Sequence, residues 1–409
     1  MTANADKLTP LEDALAACAN ALAPHREAAF ASYRRQGFPH RRVEGWRWSD
    51  FKAALRNAPG ASAPIHEAAP PLAGDLAGLK PIEIRIVNGR IDFKAEPLPD
   101  GVRYGIVDAV GTIAELETNA IASLNVAMSK KAFGVEIGEG VNFTRPILIR
   151  HINSGAGFSF AQCMLRVKRN AQATIVETFE GEGAAFNSSL FHVDLKEGGA
   201  LSRAILHETG AEAVIHSILA VKIEAHARFN QVALSTGSRL ARHETHALVL
   251  GDGASAEISS AALLSGERHS DFTSEVKFRG AACQTRQSHK GVAAEKGRNV
   301  FQGKFKVERS AQKTDARMNA DALLLSDTAE ANHKPELEIY ADDVQCAHGS
   351  TSGALDERAL FYMRQRGLSY NAARAMLIEA FVGATFDEVA HPGIEQAFRH
   401  RVAKWLEGA

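Results

Sequence analysis

Between about residues 141 and 340, apolar and polar positions alternate in short runs with little helical periodicity, and each run breaks at a small-residue corner. The corners are Asn170-Ala171, Gly199-Ala200, His226-Ala227, Gly253-Ala254, Gly280-Ala281 and Ser310-Ala311, with alanines 29, 27, 27, 27 and 30 residues apart. Apolar pairs fall four and six places before the alanine at Leu165/Val167, Val221/Ile223, Leu248/Leu250 and Phe305/Val307. Two pairs, Val193/Leu195 and Val276/Phe278, sit one place out. Such a period predicts a mainly β fold of stacked coils over residues 141–352, each burying its apolar face on its neighbours. The alternative is a β-sandwich. A solenoid leaves unpaired strand edges at its flanks and ends, so the architecture invites a second chain to add backbone hydrogen bonds.

The flanks read differently. Residues 1–57 open on Thr9-Pro10-Leu11-Glu12, a capping box with proline in the first turn, followed by Leu11, Leu15, Cys18 and Leu22 at helical spacing. A basic and aromatic stretch, FPHRRVEGWRWSDF, then supplies Trp46, Trp48 and Phe51 for packing. Residues 58–81 are rich in alanine, glycine and proline and read as a linker. In residues 82–140, Ile82, Ile84 and Ile86 alternate with polar positions, Asn88-Gly89 supplies a tight turn, and Ile91 and Phe93 resume the alternation: a β-hairpin leading into the core. Residues 353–409 return to the helical period. Asp356 caps one helix that stops at Gly367, Ser369 caps a second through Ala372, Met376, Ala380 and Phe381, and Ile394, Phe398, Arg401 and Trp405 outline a third. So small a helical module has little interior to offer, which leaves its Phe381 stripe for a partner or for the rest of the chain.

Composition narrows the function. Forty-seven Lys+Arg against 48 Asp+Glu give a formal charge of −1, which offers no bulk attraction for nucleic acid or an anionic membrane. Apolar runs such as residues 14–19 are far shorter than the roughly 18 residues that cross a bilayer, and the expectation is a soluble, cytoplasmic chain. Cys18, Cys163, Cys283 and Cys346 are dispersed, as in a reduced compartment. The phosphate-cradling pattern G-x-x-x-x-G-K-[ST] is absent, so nucleotide hydrolysis is not expected of this chain.

Candidate chemistry reduces to Cys346 and His348 in ADDVQCAHGST, two residues apart and therefore on one face of an extended segment. A thiolate and an imidazole suit iron or zinc, but they leave a metal half-coordinated, so substrate, water or a second chain must complete it. The nearby Glu336, Glu338, Asp342 and Asp343 read as a solvated face. In His243-Glu244-Thr245-His246 the histidines are three apart in β-rich sequence, which fails the helical H-E-x-x-H zinc pattern. The scattered His192, His216, His226, His269 and His289 read as hydrogen-bonded rung residues, and no nucleophile elbow supports a serine hydrolase.

FQGKFKVERSAQKTDARMNADALLLSD from Phe301, HKPELEIYADDVQCAHGSTSGALDERALFYMRQRGLS from His333 and the helix ending IEAFVG resemble the SufB/SufD family of the Suf iron–sulfur cluster assembly machinery, on its SufD side. RRVEGWRWSDF, IVNGRIDF, SLNVAM and TRPILIRH extend the likeness more weakly along the chain. Gln345, Ala347 and Ser352 vary within the motif, while Cys346 and His348 stand in matching places. The resemblance implies an N-terminal helical region, a right-handed parallel β-helix core and a C-terminal helical domain. It also implies pairing with a SufB-like paralogue through the β-helix and with a SufC-like ATPase through the last helices, around Leu368, Ala372, Met376 and Phe381. His348, with Cys346 beside it, would face the paralogue and hold iron or a nascent cluster transiently, with nothing bound tightly by this chain alone. The rivals are a β-helix enzyme of the carbohydrate-active or acyltransferase kind, for which neither paired carboxylates nor a hexapeptide repeat is visible, and a structural homodimer using the same edge.

Overall fold

The computed structural model describes residues 10–19, 22–56, 70–72, 74–111, 113, 116–389 and 391–408; the cap expected at Thr9 and most of the 58–81 linker lie outside these. Two sheets form the body. One runs β19 (Gln345–Gly353), β17 (Asp315–Leu324), β15 (Gln284–Ala293), β13 (Ser255–Leu264), β11 (Arg228–Ser235), β9 (Ala200–Thr209), β7 (Gln172–Glu182), β5 (Ile147–Ser154), β1 (Ile82–Val87), β2 (Arg90–Phe93). The other runs β18 (Glu330–Ile339), β16 (Arg298–Val307), β14 (His269–Phe278), β12 (Leu240–Val249), β10 (Val214–Ile223), β8 (Ala185–Leu195), β6 (Gly157–Val167), β4 (Lys131–Ile137), β3 (Val102–Asp108). Consecutive strands from β4 onward fall in opposite sheets and pair in parallel with the strand two places on, so two strands make one turn of a parallel β-solenoid. The expected hairpin is present: β1 and β2 pair antiparallel around Asn88 and Gly89, both at positive φ, with Val87 opposite Arg90. At this first end the stack also reverses in the other sheet, where β3 runs antiparallel to β4.

The lumen is built from in-register ladders. Leu165, Val193, Val221, Ala247, Val276, Phe305 and Leu337 form one, and Val167, Leu195, Ile223, Val249, Phe278, Val307 and Ile339 the next. Val193/Leu195 and Val276/Phe278 are therefore in step. The pair out of step is Leu248/Leu250: Ala247 and Val249 face the lumen, and Leu250 is 38% exposed. Counting back from a corner fails there because the corners differ in length. Each turn bends at a residue in the left-handed region, at Asn170, Gly198, His226, Gly253, Ala282 and Lys313, spaced 28, 28, 27, 29 and 31 residues apart. Gly280-Ala281 and Ser310-Ala311 thus lie early in their corners, because Ala282 and Lys313 occupy the strained conformation without the glycine that signals it. The strain is held by a backbone column in which each of these N–H groups donates to the next turn, as His226 does to Asp252 at 2.9 Å and Ala282 to Gln312 at 2.8 Å.

Helices cover both broad faces. On the nine-stranded sheet, Leu11 and Leu15 of α1 (Pro10–Cys18), Phe30 of α2 (Pro24–Gln36), Trp46, Phe51 of α3 (Phe51–Ala54) and the buried α5 (Ala120–Met128) pack on Phe186, Leu190, Val214, Ile218 and Leu240. On the ten-stranded sheet, Leu76 of α4 (Gly74–Gly78), a single turn inside the linker, joins the C-terminal helices. These are α6 (Glu357–Gln365), capped by Asp356, α7 (Tyr370–Gly383), capped by Ser369, and α8 (Pro392–Gly408). Ile378, Val382, Phe386, Ile394, Phe398 and Val402 share one core with Leu148, Val176, Leu206, Leu234, Leu263 and Val292 of the sheet. The last helices therefore do not need an interior of their own.

Candidate functional site at the terminal turn

The last turn consists of β18 and β19, and each is hydrogen-bonded to a neighbouring strand on one side only. Register fixes which side chains look inward. Cys346 lies beside Ala316 and His348 beside Met318, and both neighbours are buried in the lumen. Cys346 and His348 thus share the inward face of a strand over which no further turn is stacked, which leaves the imidazole exposed and the thiol half-buried against the core. Burial pushes the Cys346 thiol upward, and the hydrogen bond from the Ala316 backbone, which favours the thiolate, does not offset it.

Across the lumen, β18 contributes His333, which stands beside the buried Phe301 of the previous turn. Sequence reading passed over this histidine. The one signal available was its parity with Leu337 and Ile339, two and three further steps along the same inward face. It ends a hydrogen-bonded file. Ser260 Oγ lies 2.9 Å from His289 Nδ1, His289 Nε2 lies 3.0 Å from Asn299 Oδ1, Asn299 Nδ2 donates to His333 Nε2 at 3.3 Å, and His333 Nδ1 lies 3.0 Å from Ser350 Oγ on β19.

The remaining candidates separate. Glu338 is held down to about 2 by hydrogen bonds from Lys304 and Lys306, and Glu336 pairs with Lys334 at 3.1 Å, so these acids form a solvated ion-paired face. His243 faces the lumen, whereas Glu244 and His246 face outward and bond each other at 3.0 Å, so the two histidines share no metal. His216 is buried against Glu244 at 2.9 Å, His269 against Ser49 at 3.2 Å, and His226 is a corner residue. Among the described residues no group of three or more His, Cys, Asp or Glu side chains is placed to hold a metal ion. A groove of about 530 Å³ beside β3, lined by Arg103, Gly134, Met164, Arg166 and Asp194, lies at the opposite end of the solenoid from Cys346 and His348. His192 also lines it, but neither Cys346 nor His348 does.

A family model for the SufBD core domain of SUF-system FeS cluster assembly matches residues 150–381, more than half of the chain. The chain belongs to the SufB/SufD family. It is 27% identical over 401 residues to the iron–sulfur cluster assembly protein SufD of Escherichia coli K12, covering 91% of this chain and 90% of that one. It is 28% identical over 327 residues to the chloroplastic protein ABCI7 of Arabidopsis thaliana, covering 75% and 69%, and 26% identical over 163 residues to SufD of Bacillus subtilis, covering 40% and 37%. The chain is thus a SufD-like member of an iron–sulfur cluster assembly family, folded as a parallel β-solenoid. No helix among its described residues is long and apolar enough to cross a membrane.

In this SufB/SufD chain the helices α6 and α7 present Phe361, Tyr362, Tyr370 and Met376 to solvent, between 49% and 63% exposed. Leu368 is half-buried and Ala372 exposed. Phe381 faces home: it packs on the core shared with the sheet, with Lys290 Nζ 4.9 Å from its ring centroid.

Proposed function

We propose that this chain is a non-catalytic scaffold subunit in iron–sulfur cluster assembly, pairing with a SufB-like paralogue through the terminal turn of its solenoid. In this reading Cys346 and His348 are a partial ligand set, completed by the paralogue's own donors, for iron or a nascent cluster that passes through as cargo, and the chain contributes to iron acquisition. The observation that carries it is the position of both residues on the inward face of an edge strand with one free side. Such an edge offers a row of backbone donors and acceptors to a second chain. A thiol and an imidazole on its open face then supply two of the four positions that a tetrahedral iron site uses.

The face of α6 and α7 that carries these exposed side chains is the surface proposed for a SufC-like ATPase, because exposed Phe, Tyr and Met are the side chains that anchor protein interfaces. The test of the scaffold reading is His348→Ala in the complex co-purified with the paralogue and the ATPase under anaerobic conditions. The expected result is an intact complex with reduced iron and sulfide content. Unchanged cluster yield removes His348 from the mechanism.

A further inference from the structure

We propose that His333 is a positioning residue of the terminal turn, acting through Ser350 to hold β19, and with it Cys346 and His348, against β18 across the mouth of the lumen. This rests on reading Cys346 and His348 as the partial ligand set. The terminal turn poses a mechanical problem. In the body of the solenoid each strand is clamped by parallel neighbours on both sides, whereas β18 and β19 have a neighbour on one side only and meet each other only across the lumen. Among the described residues, His333 to Ser350 is the side-chain hydrogen bond that joins the two strands. Ser350 is two residues from His348, on the same inward face of β19. Outside the sheet, Asp321 of β17 accepts from Thr351 and from Lys290, so the strand is pinned from both faces immediately after His348.

The file behind His333 determines what it presents. Asn299 donates its amide N–H to Nε2, which leaves the ring proton on Nδ1, directed at Ser350 Oγ. Asn299 in turn takes its Oδ1 contact from His289 Nε2–H, which leaves His289 Nδ1 to accept from the Ser260 hydroxyl. His289 is fully buried and Asn299 is sealed beside it, so the orientation of the exposed-end imidazole is fixed from a rigid interior. One side of a donor strand is thereby ordered before any partner arrives. Preorganisation of this kind matters for a site that must be within about half an ångström of its productive geometry.

The test measures Cys346 itself, with no metal present. His333→Ala and Ser350→Ala are expected to raise the rate of Cys346 alkylation by iodoacetamide about tenfold and to speed amide exchange along β19. The buried Cys283 should stay unreactive, which reports an intact fold. Should His333→Ala unfold the chain, Ser350→Ala carries the measurement. His333→Asn, which returns an amide N–H near the place of Nδ1, is expected to restore slow alkylation. In the co-purified complex His333→Ala should lower cluster yield with subunit stoichiometry unchanged. Wild-type alkylation and exchange in the alanine variants, failure of the asparagine variant to restore them, or a wild-type cluster yield for His333→Ala each overturns the proposal. Failure of the partial-ligand reading shows separately, as an unchanged yield in His348→Ala.

Discussion

The Arg242 guanidinium lies 3.9 Å from the ring centroid of Trp46, and this contact joins the N-terminal region to the outer face of the solenoid. Arg242 donates to Glu244 at 2.7 Å and to Asp271 at 2.6 Å, while Ser49 also bonds Asp271, so the tryptophan closes a buried charged cluster from above. Trp46→Ala is expected to destabilise the chain by about 3–5 kcal/mol, the usual cost of deleting a buried aromatic side chain. Urea denaturation measures it, and amide exchange over residues 44–56 should rise before exchange in the solenoid does. Equal protection of that segment in wild type and variant contradicts the assignment.

Inside the lumen Arg203 donates to Glu177 at 2.7 Å and to Gln231 at 2.6 Å, with both charged residues almost wholly buried. Burial opposes the Glu177 charge, but Arg203 and His151 overcome it and hold the carboxyl down to about 2. Arg203→Met alone strands that carboxylate and should cost about 3–5 kcal/mol. The double variant Arg203→Met with Glu177→Leu should recover most of the loss, because two apolar side chains replace the pair. A double variant no more stable than the single one shows that the pair, rather than the stranded charge, carries the energy.

Burial pushes His207, His269 and His289 down to about 3 from an ordinary 6.5. Above pH 6.5 neither the folded nor the unfolded state protonates them. Between 6.5 and about 3 the unfolded chain binds protons that the folded chain refuses, so stability falls as pH falls, by about 1.4 kcal/mol per pH unit for each group and about 4 for the three. Unfolding free energies at pH 7 and pH 5 measure the slope. His243 and His216, also lowered by burial, add to that slope; His289→Gln should remove about 1.4 kcal/mol per pH unit of it, and a flat profile refutes the buried neutral assignment.

Removing everything after Gly353 uncovers Leu206, Leu234, Leu263 and Val292 on the ten-stranded sheet, and the truncated chain is expected to aggregate. Met376→Glu and Phe361→Glu avoid that problem. Both residues are exposed, so stability should change by no more than about 0.5 kcal/mol while binding to the ATPase is lost. Retained binding in a co-purification assay assigns the ATPase contact elsewhere.

What could be read from the sequence depended on local chemistry. Asn88-Gly89 announced its hairpin because a tight turn requires positive φ, and Asp356 and Ser369 announced helix starts because their side chains bond the first free N–H groups. The coil period was readable from its corners. Strand parity was less so, because each sheet is buried on both faces: β10 is buried at nine of its ten positions, and a run with two apolar faces carries no alternation to read. Counting back from corners of unequal length misplaces Leu248, and no alternation along its strand is there to correct the count. The pairing of Cys346 with His348 was visible as spacing, but His333 was not, since its partner Ser350 is 17 residues away and meets it only when the final turn closes.

The reversed strands β2 and β3 break the parallel direction at the beginning of the stack, whereas β18 and β19 finish it with that direction intact. The molecule therefore has polarity, like a column with a plinth at its foot and no capital. Another column can meet it head to head, and once two such heads have met neither has a free head left. Growth by that contact ends at two, which separates this architecture from the endless stacking that exposed parallel strands otherwise permit.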